Sequence, residues 1–244
     1  MLLDAPGALE AEASVAHRTL VERDAAGARL LKESGPLARL RITARPSWAP
    51  AGLLEFSAAV ARARLDYAGQ TQAGAALSTA SRHDEIEAGA RWRPSAPFSW
   101  GEPALTLDAL RLRRSIAAAS PAGSLTETST LWLAGVALSS PSVAAGGAQW
   151  ALRAHWRTSV SHRLHVDYAG LFDPSSLAGG RRGEVALGAT AAWPGGWSLS
   201  LEAHRSRQQA SGTAPLSSAG MPAGSVHQPR IAIDDVVLGL ARRF

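Results

Sequence analysis

Apolar and polar residues alternate with a period of two along most of this chain, the spacing of strands whose two faces meet different surroundings. Leu40, Ile42 and Ala44 alternate with Arg39, Arg41 and Thr43, and Ile86, Ala88, Ala90 and Trp92 stand opposite Glu85, Glu87, Arg91 and Arg93. Trp132, Ala134, Val136 and Leu138 share a face. So do Val185, Leu187, Ala189, Ala191 and Trp193, and, after Pro194-Gly195-Gly196, Trp197, Leu199, Leu201 and Ala203. From Gln149 to Tyr168 the even positions Trp150, Leu152, Ala154, Trp156, Val160, Leu164, Val166 and Tyr168 hold one phase. This predicts a single long strand with His162 on the same side. Residues 10–23 and 104–113 supply two further strands, Asp24 to Gly35 reads as a loop, and 207–229, rich in Ser, Ala, Gly and Pro, reads as a long one. Leu54, Phe56 and Ala58 open another strand on one face, but at Arg62, Arg64 and Asp66 the phase has reversed. One inserted residue, a β-bulge within Ser57 to Ala61, produces such a reversal. A hairpin around 69–82 then sets Arg64 opposite Glu85, Arg62 opposite Glu87 and Glu55 opposite Arg93, all of opposite sign.

The last stretch alternates as well. Phe244, Arg242, Leu240, Leu238 and Val236 share a face, and Arg243, Ala241, Gly239, Val237 and Asp235 point the other way. A terminal strand with apolar residues at every second position and a final aromatic resembles the closing strand of Gram-negative outer-membrane β-barrels. Arg242 departs from that pattern, since an apolar or aromatic residue is usual there. The resemblance implies an all-β fold, a single transmembrane antiparallel up-and-down barrel in the bacterial outer membrane. It also implies contact with outer-membrane lipid, and recognition of the C-terminal strand by the barrel-assembly machinery. The pattern predicts about ten strands, in a range of about eight to twelve, in one domain over 1–244, with the first strand from about residue 10 and the last over about 230–244. With Phe244 in the periplasm, the turns at 46–51, 94–101, 140–147 and 194–196 fall on its side. Trp48, Trp92, Trp150, Trp193, Trp197 and Phe244 then form a membrane-interface girdle. The repeated segments Leu65-Asp-Tyr-Ala-Gly69 and Val166-Asp-Tyr-Ala-Gly170 bring Tyr67 and Tyr168 together at the opposite rim.

Composition narrows the classes. Cysteine is absent, which excludes disulfides, thiolate metal sites and a Cys nucleophile. No unbroken apolar run approaches the ~20 residues of a membrane helix, which a barrel does not require. The segment Met1-Leu-Leu-Asp-Ala-Pro-Gly7 lacks the charged and apolar regions of a secretory signal, so a signal peptide is expected not to be present in this chain. The net charge of +5 comes from Arg dispersed along the chain, with Lys only at Lys32. No nucleic-acid-binding motif accompanies it, and no nucleic-acid partner is expected.

The alternation sends charge inward: Arg39, Arg41, Glu55, Arg62, Arg64, Glu85, Glu87, Arg91, Arg93, Asp108, Arg111, Arg113, Arg153, His155, Arg157, Glu184 and Glu202. Arg62, Arg64, Glu55, Glu85, Glu87, Arg91, Arg93, Arg153 and Arg157 are the proposed lumen charge network. One reading is a narrow, Arg-lined, anion-preferring channel. The favoured one is a plug whose charges satisfy each other, since a barrel this narrow is largely filled by its own side chains. A second class is a barrel hydrolase with its site at the outer rim. Omptin-type proteases use acidic residues and a His–Asp pair there, and Asp66, His83, Asp84, Asp167 and His204 are the residues of those types near that rim. His204-Arg205-Ser206 is similar to the His-x-Ser of lipid A deacylases, in which His activates Ser. A third class is a soluble β-sandwich binding protein, whose Trp-bearing faces a second sheet would cover. Gly-rich phosphate loops, Gly-x-Ser-x-Gly and His-Glu-x-x-His are missing, so no catalytic residue, metal or cofactor is assigned.

Overall fold

The computed structural model describes residues 8–46, 53–70, 75–94, 98–120 and 123–244. In chain order its strands are β1 (Leu9–Arg23), β2 (Arg29–Ala44), β3 (Leu53–Gln70), β4 (Ala76–Arg93), β5 (Glu102–Ile116), β6 (Leu125–Ser139) and β7 (Val143–Ala145). There follow β8 (Ala148–Asp167), β9 (Ser175–Ala178), β10 (Arg182–Ala192), β11 (Trp197–Gln208), β12 (Ala214–Ser218), β13 (Met221–Val226) and β14 (Arg230–Arg243). Ten of them close into one antiparallel ring, β1-β2-β3-β4-β5-β6-β8-β10-β11-β14, with β14 paired back onto β1. The sheet closes on itself rather than stacking on another, and among the described residues the only other sheet is the two-stranded β12–β13, which overturns the soluble sandwich reading.

Following paired residues round the ring from Leu9 through Ala44, Phe56, Ala90, Leu107, Ala134, Thr158, Gly183, Arg207 and Ala232 returns the path to Val21, a shift from 9 to 21, or 12 residues. A stagger of this kind tilts the strands and lets a twisted sheet meet its own edge. The lower end of the barrel is the one where the Phe244 amide donates to the Leu9 carbonyl at 2.8 Å.

Around the lower and middle wall, Val15, Leu40, Val60, Ile86, Leu105, Leu152, Leu187 and Leu201 point outward and stay more than half exposed. Above them the outward positions turn polar: Arg62, Arg64 and Asp66 on β3, Arg82 and Asp84 on β4, Arg111 and Arg113 on β5, Arg205 and Arg207 on β11. The inner face does the reverse. Its upper part holds buried apolar clusters, one of Leu20, Leu31, Tyr67, Ile116, Ile231 and Ile233, one of Ala16, Leu37, Ala61, Ala63 and Leu65, and one of Leu110, Leu131 and Leu133.

Three sequence expectations are corrected, the first two by this inversion with height. β3 has no bulge: it pairs with β4 without a break from Leu53–Arg93 to Gln70–Ala76, so Arg62 faces Asp84, Arg64 faces Arg82, and Glu55 faces Arg91. Arg62 and Arg64 therefore lie outside the barrel, as do Arg111 and Arg113. The register shift sits instead in β8, where Trp132 pairs with Ser161 but Leu133 with Ser159. Below it Trp150, Leu152 and Trp156 face out. Above it His162, Leu164 and Val166 face in and are buried, so His162 is a lumen residue that donates from Nδ1 to the Gly180 carbonyl at 2.9 Å. Finally, β2 begins at Arg29, although its pairing with β3 skips from Ser34–Asp66 to Leu37–Ala63 around Gly35-Pro36. Pro36 has no N–H for the ladder, and a Cβ on Gly35 would lie 2.9 Å from the Arg64 carbonyl oxygen.

The stretch read as a loop over 207–229 contains the β12–β13 hairpin, turned at Ala219 and Gly220 with φ of 50 and 76°. Positive φ at both central residues fits the right-handed twist of a tight hairpin. Asp173 ties the hairpin down: its carboxylate accepts from the Ser217 hydroxyl at 2.7 Å and the Gly220 N–H at 2.9 Å. Those bonds, Ser217 first, hold the Asp173 carboxyl below its usual range. A depressed carboxyl contributes above the unfolded pKa and is lost as pH falls through the folded one. The Gly220 amide resonance in detergent micelles is thus expected to titrate with a midpoint below ~3.9, and Asp173→Asn to abolish the titration; a flat Gly220 resonance in the wild type refutes the anchor.

Candidate functional site

The inward charges assemble in three tiers. At the lower mouth Arg45 pairs with Glu55 at 2.9 Å, Arg93 with Glu102 at 2.8 Å and Arg243 with Glu10 at 3.4 Å. In mid-barrel Arg157 gathers Glu87 at 2.9 Å, Asp108 at 3.1 Å and Glu184, while Arg39 also pairs with Glu87. Arg182 holds Glu184 at 2.7 Å, and Arg18 forks onto Asp235 at 3.0 and 2.8 Å and reaches Glu85. At the top Arg114 meets Glu33 at 2.9 and 2.6 Å, Glu127 at 2.9 Å and Glu22, and His83 donates from Nε2 to Glu33 at 2.7 Å. Buried charges persist where each finds a partner, because one left alone in a low-dielectric interior is costly.

Of the residues assigned to the charge network from sequence, the structure brings Glu55, Glu85, Glu87, Arg91, Arg93, Arg153 and Arg157 to the lumen and leaves Arg62 and Arg64 outside. Sequence reasoning missed Arg114, Glu22, Glu33, Arg18 and Asp235 as hubs. The available signal was parity: Arg114, not Arg111 or Arg113, shares the even phase of Asp108 and Leu110.

Between the tiers the bore changes character. A polar cavity of about 200 Å³ lies in the lower half, lined in part by Arg41, Arg91, Arg153, His155, Glu202 and Gly89. Inward-facing Gly89, Gly135, Gly188 and Gly239 each stand four residues above the lower ends of β4, β6, β10 and β14, at Arg93, Ser139, Ala192 and Arg243. A Cβ on Gly89 would sit 2.2 Å from Asp108 Oδ1, and one on Gly135 2.1 Å from the Trp156 carbonyl oxygen. Higher up, the described inward residues are packed closely. Leu65, Leu131, Leu133, Glu33 and His83 are at 0 % exposure and Leu20 and Leu164 at 2 %.

The residues considered for rim catalysis do not converge. Asp66, Asp84 and Asp167 point outward and His83 is sealed inside. Arg62 and Arg82 hold Asp84 at 2.7 and 3.0 Å. His204 stands in mid-lumen, 3.6 Å from Glu184 and 3.7 Å from Asp235, and Ser206 is buried on the same inner face. Neither reaches the outer surface. Tyr67 belongs to the buried upper cluster, whereas Tyr168 packs edge-on against Phe172 at 5.6 Å, so the two do not form a pair. Among the described residues no group of three or more His, Asp and Glu side chains could hold a metal ion.

On the outside, Trp92, Trp150, Trp193, Trp197 and Phe244 are exposed and gather at the lower ends of their strands; Trp48 lies outside the described residues. Arg242, the departure from the closing-strand pattern, stacks its guanidinium over Trp197 at 5.2 Å and Phe244 at 5.3 Å. Its charge therefore rests on aromatic faces.

No protein-family model matches this chain, and no curated protein does. Solved structures do. The outer membrane protease OmpT from Escherichia coli superposes with a TM-score of 0.53 at 10 % identity, covering 100 % of this chain and 99 % of that one. The translocator domain of the autotransporter NalP from Neisseria meningitidis gives 0.50 at 14 % identity, covering 100 % and 90 %. The chain has the fold of an outer-membrane β-barrel. At these identities the likeness carries the fold and no activity.

Proposed function

We propose that this protein is a plugged, membrane-spanning barrel of the bacterial outer membrane whose bore does not conduct. The observation that carries the reading is the filled upper lumen, where Leu20, Leu65, Leu131, Leu133 and Leu164 are buried and the Arg114 knot keeps little exposed surface. An anion channel needs a water path past those leucines. The Arg-lined cavity below is a blind vestibule on this reading.

Membrane embedding is supported by the exposed apolar wall, where large hydrophobics on neighbouring strands stand side by side rather than singly, and by the aromatic residues beneath it. The two longest connections between barrel strands, 168–181 and 209–229, lie at the upper end, which supports placing that end outside and Phe244 in the periplasm. β14, with its terminal Phe244, is the segment we assign to the barrel-assembly machinery.

In planar lipid bilayers the reconstituted protein is expected to be electrically silent in both polarities. Stepwise anion-selective openings in the wild type would refute the plug and restore the channel reading.

A further inference from the structure

Outside the barrel, a furrow of about 1090 Å³ climbs diagonally across the wall from β11 to β5. Its floor is apolar, with Leu238, Val15, Leu40, Val60 and Ile86 standing over the small Ala13 and Ala38. Its upper end is different: Arg62, Arg82, Arg111 and Arg113 meet there around one carboxylate, Asp84. Asp84 is engaged by Arg62 and Arg82 at 2.7 and 3.0 Å. Arg111 and Arg113 are exposed and have no ion pair among the described residues.

We propose that this furrow binds an anionic amphiphile, a lipid with a phosphomonoester headgroup, whose acyl chains run along Leu40, Val60 and Ile86 and whose phosphate sits between Arg111 and Arg113. The inference rests on the membrane-embedded reading above. Arg205 and Arg207 on β11 also stand above the apolar wall, but both lie on Asp234; in the furrow four guanidiniums meet one outward carboxylate directly over an apolar floor, which leaves positive charge to spare there. Charge and floor together match the two ends of one molecule. Guanidinium groups are suited to phosphate because their planar fork donates two parallel hydrogen bonds, and each basic residue at a membrane surface adds to anionic-lipid attraction.

The test uses the full chain reconstituted in phosphatidylcholine vesicles containing a minor fraction of spin-labelled phosphatidic acid. Electron spin resonance then reads the preference of the protein surface for that lipid over spin-labelled phosphatidylcholine. Wild type is expected to prefer phosphatidic acid, R111S/R113S to lose about tenfold of that preference, and R111K/R113K to keep most of it. The control R23S/R230S, which removes two outward arginines away from the furrow, is expected to change it little. Equal losses in the control and in R111S/R113S would overturn the site and leave only diffuse charge attraction. No preference in the wild type would overturn it as well. Glycerol phosphate, the headgroup without chains, is expected not to compete, and competition at equal affinity would refute the apolar half. Flotation of the protein with pure phosphatidylcholine vesicles reports the membrane reading separately, so its failure is distinguishable from failure of the lipid site.

Discussion

Arg114→Met is expected to destabilise the barrel by about 3–5 kcal/mol, the range found when one partner of a buried ion pair is removed. The guanidinium lies among Glu22, Glu33 and Glu127 with 4 % of its side-chain surface exposed, and Glu33 has none. Methionine fills much of the volume, so the loss reports charge more than packing. Three carboxylates from β1, β2 and β6 are left with only His83 beside them. The measurement is the urea midpoint of tryptophan fluorescence in detergent micelles. Adding Glu33→Gln to Arg114→Met is expected to recover part of the loss, because it removes one of the stranded charges. A midpoint unchanged by Arg114→Met would mean that the knot is hydrated, and the plug argument would fail with it.

The second large effect is steric. Gly135→Ala places a methyl 2.1 Å from the Trp156 carbonyl oxygen and 2.6 and 2.7 Å from the Arg157 Cβ and Cα. Two of those atoms are backbone, so β6 and β8 must separate to admit it, and overpacking of this kind costs about 1–3 kcal/mol or more. The fraction of chain showing heat-modifiable gel mobility is expected to drop sharply for Gly135→Ala. Gly183→Ala is the contrast: a Cβ there meets nothing within 4 Å, and the folded fraction is expected to match wild type. If both behave alike, close approach of β6 and β8 is not what requires glycine at 135.

The ten barrel strands and the outward face of the lower wall were legible from the period of two, since Leu40, Ile42, Trp92, Leu187 and Leu238 all point where alternation puts them, whereas β12, β13 and the start of β2 lay in stretches read as loops. Errors arose where the surroundings change along a strand. In β3 the outer face passes from Val60 to Arg62 and the inner face from Glu55 to Leu65. The pattern inverts while the backbone continues, which is indistinguishable in sequence from a bulge. In β8 the opposite happens. A real register shift at Ser159–Ser161 coincides with the same change of surroundings, the two inversions cancel, and Trp150 to Val166 reads as unbroken. Alternation reports relative polarity, and it cannot separate a turned backbone from a changed neighbour. The inward glycines had a signal that was available, one at the same distance from the end of each of four downward strands, but nothing in periodicity marks a residue without a side chain as a choice.

The same inversion divides the molecule between two solvents. In its lower half the wall is finished by lipid, which supplies the apolar contact that Val15, Leu105 and Leu201 lack. In its upper half the wall carries hydrocarbon inside and guanidinium outside, the arrangement of a water-soluble barrel with a core of its own. One continuous sheet thus joins a part whose stability depends on the apolar thickness of its bilayer or micelle to a part that carries its own core.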